Sequence, residues 1–322
     1  LVNGNLTLDQ AGALALANEA GDVSILEDAD GNPLALSVLQ TAPLFTQSSG
    51  AVDLFAGGNL YLQANDILEF SGLEVNGSAR LAATDSIIGQ NYEVLKIAGD
   101  LGLVAGDGNI SDSNGNPMIL QVGGKLERGS AGGMINLHWA RGDLAFGTIN
   151  AEEDVSVYAT NGALYSTTED VTHVTGQNIT LSSVNDLGES LNPLKFQLSG
   201  AGNTLKAESE KGSIWLETDE DAAIERASAN RGLTLSAGGD LDLTELLAHN
   251  GELRLQVAGL INADTGTDLH IEAPNTTTNS FIEAGGSIGT ENAPLKASLG
   301  ALSELVSLGG GVHLDLASGL ST

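Results

Sequence analysis

The chain repeats one short phrase, in which a glycine and a polar residue are followed by two aliphatic residues with one residue between them. Alternation of apolar and polar residues over four to six positions is typical of a short strand with one buried face. A glycine before each strand indicates a turn that needs a positive φ or a close approach of the backbone. The phrase occupies residues 4–8, 58–62, 99–103, 142–146, 239–243 and 251–255, and in looser form 21–25, 212–216 and 267–271. Such repetition predicts a repeat architecture.

A second recurring element joins a turn, usually Asn-Pro or Asn-Ala-Pro, to a run of aliphatic residues. Asn before Pro favours a turn or an extended start, and Pro at the first residue of a strand leaves the hydrogen-bonded ladder intact. Copies lie at residues 30–36, 114–120, 191–196 and 291–296, with a copy that lacks Pro at 91–97. Several copies follow a Gly bend, as at Ile288-Gly289. Lys96, Lys195 and Lys296 occupy matching places in this element. Their recurrence indicates a conserved position of the repeat unit within this chain and not an active site.

Composition favours a stacked architecture over a globular one. The 322 residues exceed the size at which a single compact core usually divides, whereas a solenoid grows along its axis. The chain has 42 Gly, 6 Pro and 4% aromatic residues, which suits short strands, tight turns and a narrow aliphatic core. Helical signals are sparse: residues 8–20 and 292–306 are the candidates, and we expect strand and turn at 8–20. The prediction is an all-β, right-handed parallel β-helix (a β-solenoid) with irregular coils of about 20 residues.

We expect residues 1–322 to form a single β-helix segment of a longer secreted protein. The chain contains no apolar run near the roughly 18 residues of a membrane span, so we expect no membrane insertion of this segment. The absence of Cys excludes a disulfide framework, a thiolate zinc site and cysteine catalysis.

The chain is strongly acidic, with 42 Asp and Glu against 12 Lys and Arg and a net charge of −30. Nucleic acid is excluded as a partner, because a phosphate backbone requires clustered Lys and Arg. The favoured interpretation is solubility and resistance to self-association in a long β protein with exposed edges. The alternative is diffuse binding of Ca²⁺ by surface carboxylates, so no cofactor is expected other than Ca²⁺ in that case.

The Gly-Asp-Leu-x-Leu phrases, together with Gly-Ser-Ile-Gly-Thr at 286–290 and Asn-Ala-Pro-Leu-Lys at 292–296, resemble the repeat region of filamentous-haemagglutinin-like bacterial exoproteins. These are large adhesins exported by two-partner secretion or as autotransporter passengers. The resemblance spans essentially the whole chain and implies an extracellular or bacterial cell-surface role in attachment, aggregation or biofilm. The repeats of that family carry no catalytic motif, so the resemblance implies no catalytic residue. The N-terminal secretion domain of family members is not found in this sequence.

The motifs of the chain predict no catalytic, cofactor-binding or metal-binding residue. The pairs Gly57-Gly58 and Gly238-Gly239 stand alone and predict turns, since calcium-binding nonapeptides recur in tandem. The acidic stretches 107–114, 152–154 and 217–221 (with Glu225 nearby) are interpreted as solvated turns, with cation binding as the alternative. Outward, solvent-facing positions are expected for His270 and His313. Residues 138–141 (His-Trp-Ala-Arg) predict a packed Trp139, with a sugar-stacking patch as the alternative.

The sequence thus predicts the structural shaft of a secreted bacterial surface adhesin or surface fibre. Expected partners are other parts of the same giant exoprotein or identical subunits, with cell-surface glycans as candidate ligands. One alternative is a self-assembling extracellular filament subunit. A second is a β-helical polysaccharide lyase or hydrolase, which the scarcity of bases, aromatic residues and long groove-walling loops disfavours.

Overall fold

The computed structural model describes residues 59–317 except 65–66, 91–92 and 276–278, together with the backbone of the strands at 15–18, 23–24 and 52–56. Residues 61, 63 and 64 are described by their backbone only. Within these ranges every named element is a β-strand. No helix in them is long and apolar enough to cross a membrane.

The chain forms two compact units, each a parallel β-solenoid. The first unit comprises residues 1–141 and 145–157, and the second comprises residues 142–144 and 158–322. A turn takes about 22 residues, and strands pair in parallel with strands of the next turn. The predicted all-β parallel β-solenoid with coils near 20 residues is confirmed. This architecture forms because each short alternating strand buries one face and can satisfy its backbone only against another turn.

The strands of the first unit lie in two sheets. In chain order they are β1 (Ala15–Asn18), β2 (Val23–Ser24), β3 (Val52–Ala56), β4 (Leu60–Ala64), β5 (Leu68–Val75), β6 (Ala79–Ala83), β7 (Ile87–Gly89), β8 (Val94–Ile97), β9 (Leu101–Ala105), β10 (Ile110–Asp112), β11 (Met118–Val122), β12 (Leu126–Ala131) and β13 (Ile135–Trp139). We call the sheet of β2, β4, β6, β9 and β12 the narrow sheet, and the sheet of the remaining strands the broad sheet. Residues near the boundary of the units form β14 (Leu144–Ala151) and β15 (Val155–Ala159).

The second unit has the same two kinds of sheet. Its strands are β16 (Leu164–Ser166), β17 (Val174–Gly176), β18 (Ile179–Ser183), β19 (Leu194–Leu198), β20 (Leu205–Ser209), β21 (Ile214–Thr218), β22 (Ala222–Ala229), β23 (Leu233–Ala237), β24 (Leu241–Leu243), β25 (Leu246–Ala248), β26 (Leu253–Val257), β27 (Ile261–Ala263), β28 (Ile271–Ala273), β29 (Ser280–Ala284), β30 (Leu295–Leu299), β31 (Leu302–Ser307) and β32 (Leu314–Leu316). The narrow sheet holds β17, β19, β21, β23, β26, β29 and β31, with β16 at its side. The other strands belong to the broad sheet.

In the broad sheet some turns contribute one strand and others two short strands in line. The eight residues of β22 pair with β24 through their first half and with β25 through their second. Likewise, β5 pairs with both β7 and β8 in the first unit. The gap between two short strands provides room for a loop without interrupting the stack, and this explains why the phrases recur irregularly.

The core consists of apolar columns that run from turn to turn. In the narrow sheet of the second unit, Leu216 pairs with Leu235, which pairs with Leu255, which pairs with Ile282. All four side chains are at most 1% exposed. The residues that alternate with them face outward and are mostly polar, with Trp215 and Phe281 as aromatic exceptions. Both helical candidates contain strand, β1 in residues 8–20 and β30 and β31 in residues 292–306, while most of residues 8–20 lie outside the described residues.

Candidate functional site: polar columns and surface grooves

In several of the described phrases the polar residue connects two turns of the solenoid. In the first unit, Asn59 Oδ1 accepts the backbone N–H of Ser78 at 2.8 Å, and Ser78 Oγ accepts the N–H of Asp100 at 3.0 Å. Asp100 Oδ1 in turn accepts the N–H of Lys125 at 2.9 Å. Each residue directly precedes a narrow-sheet strand, so one side chain binds the backbone at the same place one turn later. We call such a series a polar column.

The second unit contains the same device. Asp221 Oδ1 accepts the N–H of Asp240 at 2.7 Å, and Asp240 Oδ1 accepts the N–H of Leu260 at 2.8 Å. In another column, Asp186 Oδ1 accepts the N–H of Ser213 at 2.7 Å. A backbone N–H in a turn has no partner in a strand ladder, and burying it without a hydrogen bond costs free energy. The polar columns therefore provide hydrogen-bond acceptors for backbone N–H groups in the turns, as the sheet ladders do for those in the strands.

The glycines of the phrases make room for these side chains. A Cβ added to Gly99 would lie 2.5 Å from Ser78 Oγ and 2.8 Å from its backbone nitrogen. Added Cβ atoms at Gly124 and Gly259 would overlap the carboxylates of Asp100 and Asp240. Of the two reasons that the sequence offered for glycine, close approach applies here. A positive φ occurs in the bends at Gly188 (77°) and Gly289 (62°) and, among the phrase glycines, at Gly142 (72°).

The second recurring element also takes its predicted place. Pro117, Pro193 and Pro294 each come directly before a strand, β11, β19 and β30 respectively. In these strands the aliphatic residue after Pro is buried, and Lys195 and Lys296 lie on the outer face. The Nζ atom of Lys195 lies 3.1 Å from Glu217 Oε1 one turn later. This hydrogen bond raises the pKa of Lys195, so its amine stays protonated and is not suited to act as a general base.

The acidic stretches do not converge on a common point. In the densest stretch, Glu217 pairs with Lys195, Asp221 belongs to a polar column, and Glu220 accepts a hydrogen bond from Gln197 Nε2 at 3.0 Å. Nearby Glu225 lies 2.7 Å from Lys206 Nζ. Within the described part of the chain no three His, Asp or Glu side chains are grouped as metal ligands would be.

Exposed turns are confirmed for residues 152–154 and for 219–221, whereas Glu217 and Thr218 belong to β21. The interpretation of residues 107–114 as a solvated turn is wrong in part. Residues 110–112 form the buried strand β10. There the Asp112 carboxylate is satisfied locally, since Oδ1 accepts the N–H groups of Asn114 and Asn116 at 2.8 and 2.7 Å.

The structure places the aromatic cluster and the histidines unequally. Trp139 is completely buried in β13, so packing is confirmed and the sugar-stacking alternative is wrong for this ring. His138 is partly exposed, and burial lowers its pKa. His313 is exposed as predicted. The prediction for His270 is wrong: it is 1% exposed, because β28 begins at Ile271 and residues 267–270 form a loop end and not a strand.

In the described part of each unit, a groove lies at the carboxyl ends of broad-sheet strands. The second unit has a further groove of about 400 Å³ along β22, β24 and β27. The strand-end groove of the second unit has a volume of about 650 Å³. Its lining includes Ser182, Ser228, Asn230, His249 and Asn250. Arg226 in this groove forms ion pairs with Glu208 (3.3 Å) and with Glu245 (3.4 Å). Hydroxyl, amide and imidazole groups from successive turns thus face a single concave strip at the strand spacing of about 4.8 Å.

The groove of the first unit is smaller, at about 460 Å³. It is lined by Glu74, Lys96, Gln121 and Arg141 among others, and Lys96 Nζ lies 4.0 Å from Glu74. Sequence reasoning missed both grooves, because their residues are far apart in the chain and outward positions carry no apolar pattern. The available signal was the roughly 20-residue period, which aligns Glu208 with Ser228 and places His249 beside Ser228 in the next turn.

The chain has no match among known proteins: no family model, no curated protein and no solved structure is similar to it at a significant level. The polar columns, the fold and the grooves are therefore the basis for a functional proposal.

Proposed function

We propose that the chain is a structural shaft of a secreted bacterial surface adhesin or surface fibre, and that it is not an enzyme. The observation that carries this proposal is the polar column. Each turn is fixed to the next by strand ladders and, at its corners, by side-chain acceptors such as Asp100 and Asp240. A solenoid fastened in this way resists separation of its turns, as a load-bearing spacer must.

The proposal extends to location and partners. An extracellular site at the bacterial surface, export by two-partner secretion, and a role in attachment or biofilm follow from the resemblance of the repeat phrases. The partners we propose are other parts of the same exoprotein or identical subunits. The acidic surface supports solubility in that setting, since a net charge of −30 opposes association through exposed strand edges.

Negative-stain electron microscopy of the purified chain tests the shaft over a concentration series, with Ca²⁺ and with chelator. Isolated particles that change with neither variable are expected for a shaft segment. Fibres that grow with concentration would replace it with the filament alternative, and their loss in chelator would give the acidic surface a calcium role. A turnover assay on neutral and acidic polysaccharides runs in parallel, and release of oligosaccharides would overturn the non-enzymatic assignment.

For cell-surface glycans we propose the groove of the second unit as the contact surface. Its Ser, Asn and His side chains offer hydrogen-bond donors and acceptors in rows, which suits the hydroxyl groups of a linear sugar chain. The groove lacks a large aromatic ring in its lining, so the expected binding is weak at each turn and accumulates along the strip.

A pair of matched variants tests this contact on a printed glycan array. Ser228→Ile fills the groove, whereas Ser236→Ile makes the same change at an outward position of the narrow-sheet strand β23. Isoleucine suits a strand and adds neither charge nor an aromatic surface. Binding that Ser228→Ile abolishes and Ser236→Ile retains supports the groove. Binding that both variants retain, or none by the unaltered chain, removes glycans from the proposal while leaving the shaft untouched.

A further inference from the structure

Two buried histidines directly precede strands, as the Asp, Asn and Ser residues of the polar columns do. His173 directly precedes β17 and is completely buried. Its Nδ1 accepts the backbone N–H of Lys195, one turn later, at 2.9 Å. The backbone N–H of His173 donates to the carbonyl oxygen of Lys195 at 2.8 Å. The imidazole therefore performs the task of the carboxylate in a polar column.

The other ring nitrogen of His173 fixes its protonation. Nε2 lies 3.0 Å from the carbonyl oxygen of Thr168. A carbonyl oxygen only accepts, so Nε2 carries the proton and donates it. Nδ1 must then be unprotonated in order to accept from Lys195. Both nitrogens are thus assigned, and the geometry requires a neutral ring.

His270 repeats this arrangement in the broad sheet. Its Nδ1 accepts the backbone N–H of Lys296 at 3.0 Å. The backbone N–H of His270 donates to the carbonyl oxygen of Lys296 at 2.9 Å. Nε2 lies 2.7 Å from the carbonyl oxygen of Asp264. In both cases the next turn contributes the Lys of a Pro-Leu-Lys element, and the ring holds a carbonyl from the loop before its own strand. The shared pattern is a histidine, its loop, and a Lys 22 or 26 residues later.

Each loop is also held by the next turn. For the loop at 167–172, Asn192 Nδ2 donates to the carbonyl oxygen of Thr168 at 3.1 Å. For the loop at 264–269, Lys296 Nζ donates to the carbonyl oxygen of Thr267 at 2.8 Å. The histidine thus lies at the point where the loop, its strand and the next turn meet.

The charged neighbours of the two rings are mixed. Lys195 disfavours a charged His173 and Glu217 favours it, with Asp170 and Asp219 also near Lys195. Desolvation is the largest effect and lowers the pKa of His173 from its ordinary 6.5.

His270 faces Asp264 and Lys296, with Asp268 in its loop and Glu272 on its strand. In the preceding turn, Glu245 occupies the corresponding position and pairs with Arg226. In the following turn, Lys296 pairs in register with Asp315.

We propose that His173 and His270 are acid-sensitive latches: a second proton on each ring breaks its hydrogen bond to the next turn and releases the loop before it. A proton on Nδ1 would point at the backbone N–H of Lys195 or Lys296, so two donors would face each other in a buried site. The solenoid can relieve this only by turning the ring outward, and the loop that Nε2 holds moves with it. The chain thereby acquires two loops, 167–172 and 264–269, whose exposure depends on pH.

The direction of the pH effect follows from linkage. Because the pKa of His173 is lower in the folded chain than in the unfolded one, the unfolded chain binds more protons between these two values. The stabilisation from this group is complete above about pH 6.5, falls as the pH decreases toward the folded value, and is constant below it. Release of the loop at 167–172 is therefore expected in mildly acidic solution, and the matching hydrogen bonds of His270 extend the expectation to the loop at 264–269.

Hydrogen–deuterium exchange at pH 7.5 and pH 5.5, corrected for intrinsic exchange rates, tests the latches. Peptides that contain residues 166–173, 194–196, 264–271 and 295–297 should exchange about tenfold faster at pH 5.5 after correction. A peptide spanning β23, which holds no histidine, is the internal reference and should not respond. Equal protection of the four segments at both pH values would overturn the proposal.

The matched variants are His173→Asn with His270→Asn, compared with His249→Asn with His313→Asn. Asn serves as the acceptor at positions 59 and 109 of this chain, and it does not titrate. The first pair should abolish the pH response and the second, at exposed positions, should leave it unchanged. If the buried pair fails to fold, ¹⁵N NMR of the histidines in the unaltered chain decides. Nε2–H tautomers at pH 7.5 that protonate together with loop exposure support the latches, and protonation without a change in exchange contradicts them.

Discussion

Gly239 lies against the carboxylate of Asp221, which occupies the neighbouring position one turn earlier. A Cβ on Gly239 would overlap Asp221 Oδ1 and come within 2.6 Å of the Asp221 backbone nitrogen. The same Oδ1 accepts the N–H of Asp240 at 2.7 Å. The Asp of one turn thus requires a Gly in the next turn and binds the backbone N–H of the residue after that Gly. The repeated phrase therefore reflects an interaction between turns.

The glycine requirement predicts a position-specific effect within a single turn. Gly99→Ala should destabilise the first unit by about 1–3 kcal/mol, because its Cβ would collide with Ser78. Gly102→Ala, three residues along, is the control: its nearest neighbour would be Arg80 Cγ at 3.6 Å, and Ala in a strand is favoured over Gly by about 0.5–1 kcal/mol. Urea denaturation measures both. Equal losses in the two variants would contradict the steric explanation.

The polar column predicts that the acceptor matters more than the charge. Asp240→Ala leaves the N–H of Leu260 without its 2.8 Å partner and should cost about 0.5–1.5 kcal/mol of unfolding free energy, since water can reach this exposed N–H. Asp240→Asn retains an oxygen acceptor and removes one of many negative charges, so its loss should be smaller. Thermal unfolding of the two variants beside the unaltered chain provides the comparison. A loss for Asn as large as that for Ala would assign the effect to charge.

The fold could be predicted from the sequence because the same local pattern recurs at the start of strand after strand. Leu101, Leu144 and Leu253 each follow a Gly and a polar residue, and each begins a strand with a buried side chain. Local alternation determines which face is buried, and parallel stacking follows from repetition. The starts of β11, β19 and β30 directly after Pro could also be predicted, since the effect of Pro on the backbone is local.

The partners across turns could not be predicted, because the sequence does not state the register of one turn on the next. The interval between paired residues is 19 for Ile214 and Leu233, 27 for Leu253 and Ser280, and 38 for Ala15 and Asp53. An insertion in one loop therefore changes which side chains meet. This is why His270 was predicted to face solvent, although its ring lies between a loop carbonyl and the N–H of Lys296.

Burial of Trp139 predicts a spectroscopic difference between the two tryptophans of the chain. Trp139 is fully buried in β13, whereas Trp215 occupies an outward, partly exposed position in β21. In Trp215→Phe, the remaining Trp139 should emit at shorter wavelength and resist acrylamide. In Trp139→Phe, the remaining Trp215 should be quenched several-fold more strongly. Easy quenching of Trp139 would return this ring to the candidates for glycan stacking.

The acidic surface predicts that salt stabilises the chain. At a net charge of −30, repulsion between carboxylates opposes the compact state, and ions screen charges separated by more than about 10 Å at 0.1 M. Most of the described ion pairs, such as Lys206–Glu225 at 2.7 Å, are exposed and lose little on screening. Raising NaCl from 10 to 300 mM (roughly a fivefold shorter screening length) should raise the Tm by about 1.5 °C, equivalent to about 1 kcal/mol for a chain of 322 residues.

Glu153→Gln, in the exposed turn at 152–154, should raise the Tm at low salt and have less effect at high salt. A Tm that falls as NaCl is added would show that ion pairs outweigh the repulsion.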